Sequence, residues 1–180
     1  MTTARTPFPA PPWDRVLASI GAVAALAFVV VALLTALPPV LAQAGARVAD
    51  GSTAERVGAA SLVVPEGWVV VGGPDELVIR TPDGALETTV SSTVGDARSA
   101  LTEALTSAYG VVPTVTIGPV RTETLSSGLR VAHADVGEAA IVAVVEADAA
   151  SLLFDAHVVE GRELADYRAA FGTLLAGVQP

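Results

Sequence analysis

The chain has 180 residues, of which 52% are hydrophobic, and its 19 acidic against 10 basic side chains give a formal net charge of −9. A protein this negative repels the phosphates of nucleic acids, so we expect no nucleic-acid partner. The sequence contains no cysteine. Disulfide bonds, thiolate metal ligands and a catalytic thiol are therefore excluded within these residues.

Residues 1–15 contain several prolines and are expected to form a short cytoplasmic tail. The next 22 residues, 16–37, carry no charge. As a helix they would extend about 33 Å, which exceeds the roughly 30 Å hydrocarbon core of a bilayer. Twelve of them are Val, Leu, Ile or Phe, and together these favour insertion by about 4 to 7 kcal/mol. The pattern predicts one transmembrane helix, a signal-anchor whose partner is the lipid bilayer.

The charges beside this run indicate its orientation. Arg5 and Arg15 precede it, whereas only Arg47 follows it closely. Because positive charge favours the cytoplasmic side, we expect a single-pass protein of the cytoplasmic membrane, with its N-terminus inside and its C-terminal domain outside. An alternative is open, since Ala42-Gln43-Ala44 fits a small-x-small processing site. Cleavage near Ala44 would yield a secreted soluble domain.

Residues 38–60 are rich in Ala, Gly and Ser, and we expect a flexible linker there, followed by an extracytoplasmic domain at 61–180. Short β-branched runs separated by Pro and Gly turns predict strands. Asp96 and Gly110 bound a predicted amphipathic helix, and a second helix ends the domain. The predicted strands are 62–64, 68–71, 76–81, 85–93, 114–125, 129–136, 139–147 and 152–159, and the second helix is 161–176.

This order of elements predicts an α+β domain in which helices flank an antiparallel β-sheet, preceded by the transmembrane helix. Residues 139–145, Ala-Ala-Ile-Val-Ala-Val-Val, are apolar without alternation. A strand that is apolar on both sides is typical of the middle of a sheet covered on both faces. We therefore expect this strand at the centre.

The segment Val63-Val64-Pro65-Glu66-Gly67-Trp68-Val69-Val70-Val71 resembles the opening of the PsbP-like fold, including the small LpqN-type envelope proteins of actinobacteria. The order of strands and helices over about 118 residues is similar as well. The resemblance implies an αβα sandwich with roles in binding or assembly and no shared catalytic residues. The chain departs from the lipoprotein members because it lacks cysteine, so a protein helix would replace the lipid.

One group of residues could be read as a metal site, namely His133 and Asp135 with Asp155 and His157. Each pair lies on one side of its predicted strand. The predicted strand 139–147 lies between the pairs and separates them by about 9–10 Å. We therefore interpret them as surface pairs on a solvated face.

Other candidate residues lack the surroundings that catalysis requires. Four serines, Ser91, Ser92, Ser126 and Ser127, have no Gly-x-Ser-x-Gly elbow. Gly72 and Gly73 have no phosphate-loop lysine, and the Asp75-Glu76 pair is expected to be solvated in a turn.

The sequence therefore predicts no catalytic, cofactor-binding or metal-ligating residue, no cofactor and no enzymatic activity. We expect a membrane-anchored interaction domain of the bacterial cell envelope with a protein partner. The alternatives are a small-ligand or metal-binding envelope domain and the secreted form. Trp68 has two interpretations, as a core side chain beneath the first hairpin or as an exposed anchor at a binding edge.

Overall fold

The computed structural model describes residues 45–179 except 74, 111–114 and 149. The predicted cytoplasmic tail, 1–15, and the predicted transmembrane helix, 16–37, lie outside the described residues, as does Ala44. Of the two helices that are described, each 13 residues long, neither is long and apolar enough to span a membrane.

The described part of the chain forms eleven strands and two helices. The strands are β1 (Arg47–Val48), β2 (Ala54–Val57), β3 (Ala60–Val63), β4 (Val69–Gly72), β5 (Glu76–Arg80), β6 (Leu86–Thr93), β7 (Arg121–Thr124), β8 (Arg130–Val136), β9 (Ala140–Glu146), β10 (Ser151–Val158) and β11 (Val178–Gln179). The helices are α1 (Ala97–Tyr109) and α2 (Leu164–Ala176). The predicted α+β class and the antiparallel sheet with two helices are confirmed.

The strands form two antiparallel sheets. The larger has eight strands in the order β1-β4-β5-β6-β10-β9-β8-β7, and the smaller has three in the order β11-β3-β2. The long pairing of β6 with β10 joins the strands that precede α1 to those that follow it. Consecutive strands β7 to β10 form a meander, so β9 lies between β8 and β10 as predicted.

Strand β9 is buried on both sides, which confirms the prediction from its unalternated apolar sequence. Its residues 141–145 are all buried. Ile141, Ala143 and Val145 belong to the larger hydrophobic core, whereas Val142 and Val144 belong to a second core on the other face. Because neighbouring residues of a strand point to opposite faces, a strand covered twice needs apolar residues throughout.

Helix α1 covers one face of the large sheet over β8, β9 and β10. It begins where the carboxylate of Asp96 accepts a hydrogen bond from the Ser99 backbone N–H at 3.1 Å, which is the interaction of an N-cap. The helix packs on Ala132 and Ala134 of β8, whose small side chains let it approach the sheet closely. Its buried side chains are Ala97, Ala100, Leu101 and Leu105.

Helix α2 and the small sheet belong to the core on the other face. Leu164, Leu174 and Leu175 of α2 are buried there, and the ring of Phe171 meets that of Phe154 edge-on with centroids 6.4 Å apart. Trp68 lies in the same core with 6% of its surface exposed. Its interpretation as a core side chain is confirmed, and the alternative of an exposed binding anchor is wrong.

The prediction of a flexible linker over 38–60 is wrong for residues 45–60, so the folded domain begins before residue 61. Strand β1 pairs with β4, and β2 forms a hairpin with β3. Val57 is fully buried, and Arg47 forms an ion pair with Glu55. The Ala, Gly and Ser composition hid these strands because both are short and contain few β-branched residues, and β1 also pairs with a strand more distant in the sequence, β4.

The predicted strand 114–125 is regular only over β7. Ile117 forms an isolated bridge with Val136, and the pairing then breaks before Arg121. Pro119 lies in this break and has no N–H to donate, which explains why the strand is interrupted. The helix predicted from 161 begins at Leu164, since Gly161 has a positive φ of 84°.

Candidate functional site

The four residues considered as a metal site lie on opposite faces of the sheet. His133 is paired with Ala143, and Asp155 is paired with Val142. Directly paired residues point to the same face, and the neighbours Val142 and Ala143 point to opposite faces. The His133–Asp135 pair therefore faces α2, while the Asp155–His157 pair faces α1. The His133–Asp135 and Asp155–His157 pairs are separated mainly because the pleat of the sheet points them to opposite faces, and less by the distance between their strands.

Each of these side chains has its own partner. His133 Nε2 lies 3.2 Å from Glu123 Oε1, and Arg168 donates a hydrogen bond to Asp135 Oδ2 at 2.9 Å. On the other face the Tyr109 hydroxyl lies 3.1 Å from both carboxylate oxygens of Asp155. His157 Nε2 lies 3.7 Å from Glu87 Oε1. The pairs therefore belong to separate surface networks.

The hydrogen bond between Tyr109 and Asp155 ties the end of α1 to β10. Burial of the phenol, together with the negative charge of Asp155, raises the pKa of Tyr109 to about 12. The hydroxyl thus remains protonated over the ordinary pH range and holds the helix end against the sheet. Tyr109 and Trp68 pack against different cores on opposite faces, so they do not line one cavity.

A second tyrosine ties α2 to the turn between β5 and β6. The Tyr167 hydroxyl donates a hydrogen bond to Asp83 Oδ2 at 2.7 Å, and the Thr81 hydroxyl donates one to Asp83 Oδ1 at 2.6 Å. These hydrogen bonds stabilise the charged carboxylate and lower the pKa of Asp83 to about 2, with the Thr81 contribution the largest. Asp83 therefore has a structural role in this turn.

The remaining candidates have structural roles as well. The Gly73 N–H donates to the Glu76 carbonyl, and a Cβ on Gly72 would lie 2.5 Å from that same oxygen. The two glycines therefore serve the tight turn between β4 and β5. Ser91 and Ser92 point to opposite faces of β6, and the Asp75-Glu76 pair is exposed as predicted.

A groove between β7 and α2 is the candidate functional site. It has a volume of about 280 Å³. Its floor is apolar and its rim carries charged side chains. Leu125, Val131, Ile141, Phe171 and Leu175 line the floor, and Arg121, Glu123, His133 and Arg168 stand at the rim. A larger depression of about 640 Å³ is lined, within the described residues, by polar positions of α1 alone and therefore has a single wall.

Gly172 gives the groove part of its volume. It lies in the middle of α2, and a Cβ built on it would meet no atom of the described residues within 4 Å. A glycine inside a helix costs about 1 kcal/mol relative to alanine. Packing does not require the glycine here, so its effect is to leave open space beside Phe171.

This groove was not predicted from the sequence. The relevant signal was Gly172 within an otherwise regular amphipathic helix, at the border of its apolar face. The position of Arg121 at the rim of the groove could not be predicted from the sequence, because it depends on β7 being the last strand of the sheet.

No family model and no curated protein matches the sequence. The structure is similar to the solution structure of the cyanobacterial PsbP protein (CyanoP) of Synechocystis sp. PCC 6803. The TM-score is 0.44 with 14% sequence identity, over 67% of this chain and 86% of that chain. This similarity concerns the arrangement of the elements only.

Proposed function

We propose that the chain is a single-pass protein of the cell envelope that holds a non-enzymatic interaction domain outside the cytoplasmic membrane. The observation that carries this proposal is the juxtaposition of an uncharged run, 16–37, with a folded domain that begins by residue 47. Residues 16–37 are the signal-anchor, and the preceding 1–15 stay in the cytoplasm.

Interaction is favoured over catalysis by how the reactive side chains are used. The histidines and the aspartates beside them are divided between two faces, where each contacts a neighbouring side chain. The groove between β7 and α2, by contrast, combines an apolar floor with a charged rim. That combination suits recognition of another protein in the envelope.

Two alternatives follow from specific observations. The groove supports a second candidate function, binding of a small ligand. Cleavage near Ala44 would release a soluble form, and a processing site at this position is compatible with the fold because β1 starts only at Arg47. We also propose that the domain is related to the LpqN-type envelope proteins, with the helix at 16–37 in place of their lipid anchor.

Topology is tested by protease treatment of intact spheroplasts that express the full chain with an N-terminal epitope. We expect external protease to remove residues 45–180 and to leave a protected fragment carrying the epitope. Full protection of the domain would contradict the proposed orientation. Recovery of a soluble domain that starts at Gly45 would support the secreted form instead.

The interaction role is tested in intact cells by placing a benzophenone amino acid at exposed positions of the domain. Thr122 on β7 and Thr102 on α1 are suitable sites because both side chains are exposed. We expect irradiation to attach an envelope protein at one or more sites, identified by mass spectrometry. An absence of adducts from every exposed face would contradict the interaction role.

A further inference from the structure

Strand β7 is one of the two edge strands of the large sheet within the part of the chain that the structure describes, and all four of its residues are exposed. The Leu125 N–H donates to the Leu129 carbonyl at 2.9 Å. Because inward and outward backbone groups alternate along an antiparallel strand, Glu123 and Arg121 also bond inward. The N–H and C=O groups of Thr122 and Thr124 therefore point away from the sheet, where another strand can pair with them.

The groove lies on the α2 side of this same edge. The side chains of Arg121, Glu123 and Leu125 all face it. A strand added beside β7 would place every second side chain on this side of the sheet. The backbone of β7 and the groove can therefore bind the same extended peptide segment.

The groove has room for an apolar side chain. Its volume of about 280 Å³ lies at the lower limit of the roughly 300–1,000 Å³ that is typical of small-molecule pockets. Phe171 and Leu175 give it an apolar floor, and Gly172 keeps space open beside them. An aliphatic side chain such as leucine fits into this space.

The charged side chains at the rim of the groove indicate a second feature of the bound segment. Arg121 and Arg168 both lie near the His133 end of the groove, because Arg121 is paired with His133 and Arg168 bonds Asp135 two residues further along β8. Arg168 is partly neutralised by Asp135, whereas Arg121 forms no ion pair with any described residue. An acidic side chain of the occupant would complement Arg121.

We propose that β7 and the groove bind an extended peptide segment of a partner protein by strand addition. The segment has an apolar side chain that enters the groove and an acidic side chain two positions away that faces Arg121. This proposal rests on the proposed role as an interaction domain, and it does not require the membrane anchor.

The test uses the full chain in lipid nanodiscs and a fluorescein-labelled octapeptide of serine and threonine that carries one glutamate and one leucine two positions apart. The same peptide in reverse order covers both strand directions. We expect saturable binding, measured by fluorescence anisotropy, for at least one of the two. Replacing the leucine by serine is expected to weaken binding about tenfold to hundredfold, as for loss of one buried aliphatic side chain. No binding of either peptide would overturn the proposal.

Two substitutions at one position separate the groove from the fold. Gly172→Leu fills the groove and is expected to weaken peptide binding at least about tenfold. Gly172→Ala adds one methyl group in open space and is expected to keep binding within about threefold. Both variants should melt at or above the temperature of the parent chain, because each removes a helix glycine. Equal peptide affinity of the parent and Gly172→Leu would overturn the proposal.

Arg121→Gln tests the acidic position without touching the floor of the groove. The parent chain is expected to prefer the glutamate peptide over its glutamine analogue by about threefold at low salt, as for an exposed ion pair. Arg121→Gln should abolish this preference while the dependence on leucine remains. An unchanged preference would refute the role of Arg121.

Backbone pairing is tested on the peptide, so that no variant has to fold. N-methylation of one set of alternate peptide amides should abolish binding, and methylation of the other set should be tolerated. Equal sensitivity of both sets would contradict strand addition. A spin-labelled fatty acid tests whether the groove binds an acyl chain instead. If the fatty acid competes with the peptide, if Gly172→Leu abolishes this competition, and if replacing the leucine of the peptide has no effect, the groove is an acyl-chain site and the peptide proposal is overturned.

The cross-linking experiment keeps this inference distinct from the proposed function. Adducts from Thr102 with none from Thr122 would leave the interaction role standing and overturn the assignment to β7. Adducts from Thr122 that disappear in Gly172→Leu would support both. Absence of adducts at all positions would contradict the interaction role itself.

Discussion

Thr88 lies on β6 in the middle of the large sheet, fully buried, and its hydroxyl has no hydrogen-bond partner among the described residues. A buried polar group without a partner costs about 1–3 kcal/mol. Valine has nearly the same shape and no hydroxyl. We expect Thr88→Val to raise the free energy of unfolding by about 1–2 kcal/mol, measured by urea titration with tryptophan fluorescence.

Thr89 supplies the matched control, because it is the next residue of β6, points to the opposite face and is only half-buried. Thr89→Val is expected to change the free energy of unfolding by less than about 0.5 kcal/mol. Equal effects of the two substitutions would show that the valine acts through strand propensity, and the unpaired hydroxyl of Thr88 would then be irrelevant.

Tyr109 predicts a loss of stability at high pH. Its pKa is raised to about 12 in the folded chain from an ordinary value of 10. The folded state therefore holds the proton more tightly, so the stabilisation is complete below pH 10 and is lost as the pH rises from 10 to 12. We expect Tyr109→Phe to be less stable than the parent chain at neutral pH and to lose less stability over this interval.

The chain has only two tyrosines, so in Tyr167→Phe the ultraviolet titration of tyrosinate reports on Tyr109 alone. Thermal unfolding of the same protein across the interval gives the stability. A titration midpoint near 10 would contradict the raised pKa.

Among the elements, the regular helices and the strand covered on both faces were predictable because their signals are local, although β9 lies third from an edge of the sheet rather than at its centre. A 3.6-residue period marked α1 and α2, and an apolar run without alternation marked β9. Strands β1 and β2 were missed, since each contains a single β-branched residue, whereas β4, which is as short as β2, contains three valines. Only their pairing with β4 and β3 makes them strands.

A substitution of Val57 can test whether β2 is part of the folded domain or of a flexible linker. It is fully buried in the larger core. Val57→Ala is expected to reduce the free energy of unfolding by about 1.5–3 kcal/mol, through lost burial and the cavity left behind. Val48→Ala on β1 is the control, because Val48 is 68% exposed, and it should change little. A neutral Val57→Ala in urea titration would restore the linker interpretation of this segment.

The groove between β7 and α2 arises from the packing of two elements. It exists because α2 lies beside the edge strand β7, and because Gly172 presents no side chain towards it. The sequence showed an amphipathic helix and a strand. It did not show that the two border the same groove, since β7 and α2 are about forty residues apart in the sequence and strands β8, β9 and β10 lie between them in the chain.

For the whole molecule, the proposed membrane anchor depends on the uncharged run 16–37. Placing arginine at two central positions, Val29→Arg with Val31→Arg, should cost on the order of 5–7 kcal/mol in insertion free energy. That cost offsets the estimated gain of about 4 to 7 kcal/mol from the apolar side chains. We therefore expect the variant chain to move from the membrane to the soluble fraction after cell lysis.

The control is Val29→Leu with Val31→Leu, which keeps the run apolar and should leave the protein in the membrane fraction. Fractionation by ultracentrifugation and immunoblotting measures both. A parent chain that is intact and soluble without detergent would refute the anchor.

Local sequence patterns were enough to predict the α+β class, both helices and a strand covered on both faces, because periodicity and capping act within a few residues. The sequence left Trp68 open between a core position and an exposed binding edge, and the structure places this side chain in the core. Only the tertiary structure decided the order of strands, in which Val90 and Phe154 pair across 64 positions. That order places His133 and Asp155 on opposite faces and makes β7 an edge. Strand pairing is non-local, and one residue of register reverses which face a side chain meets.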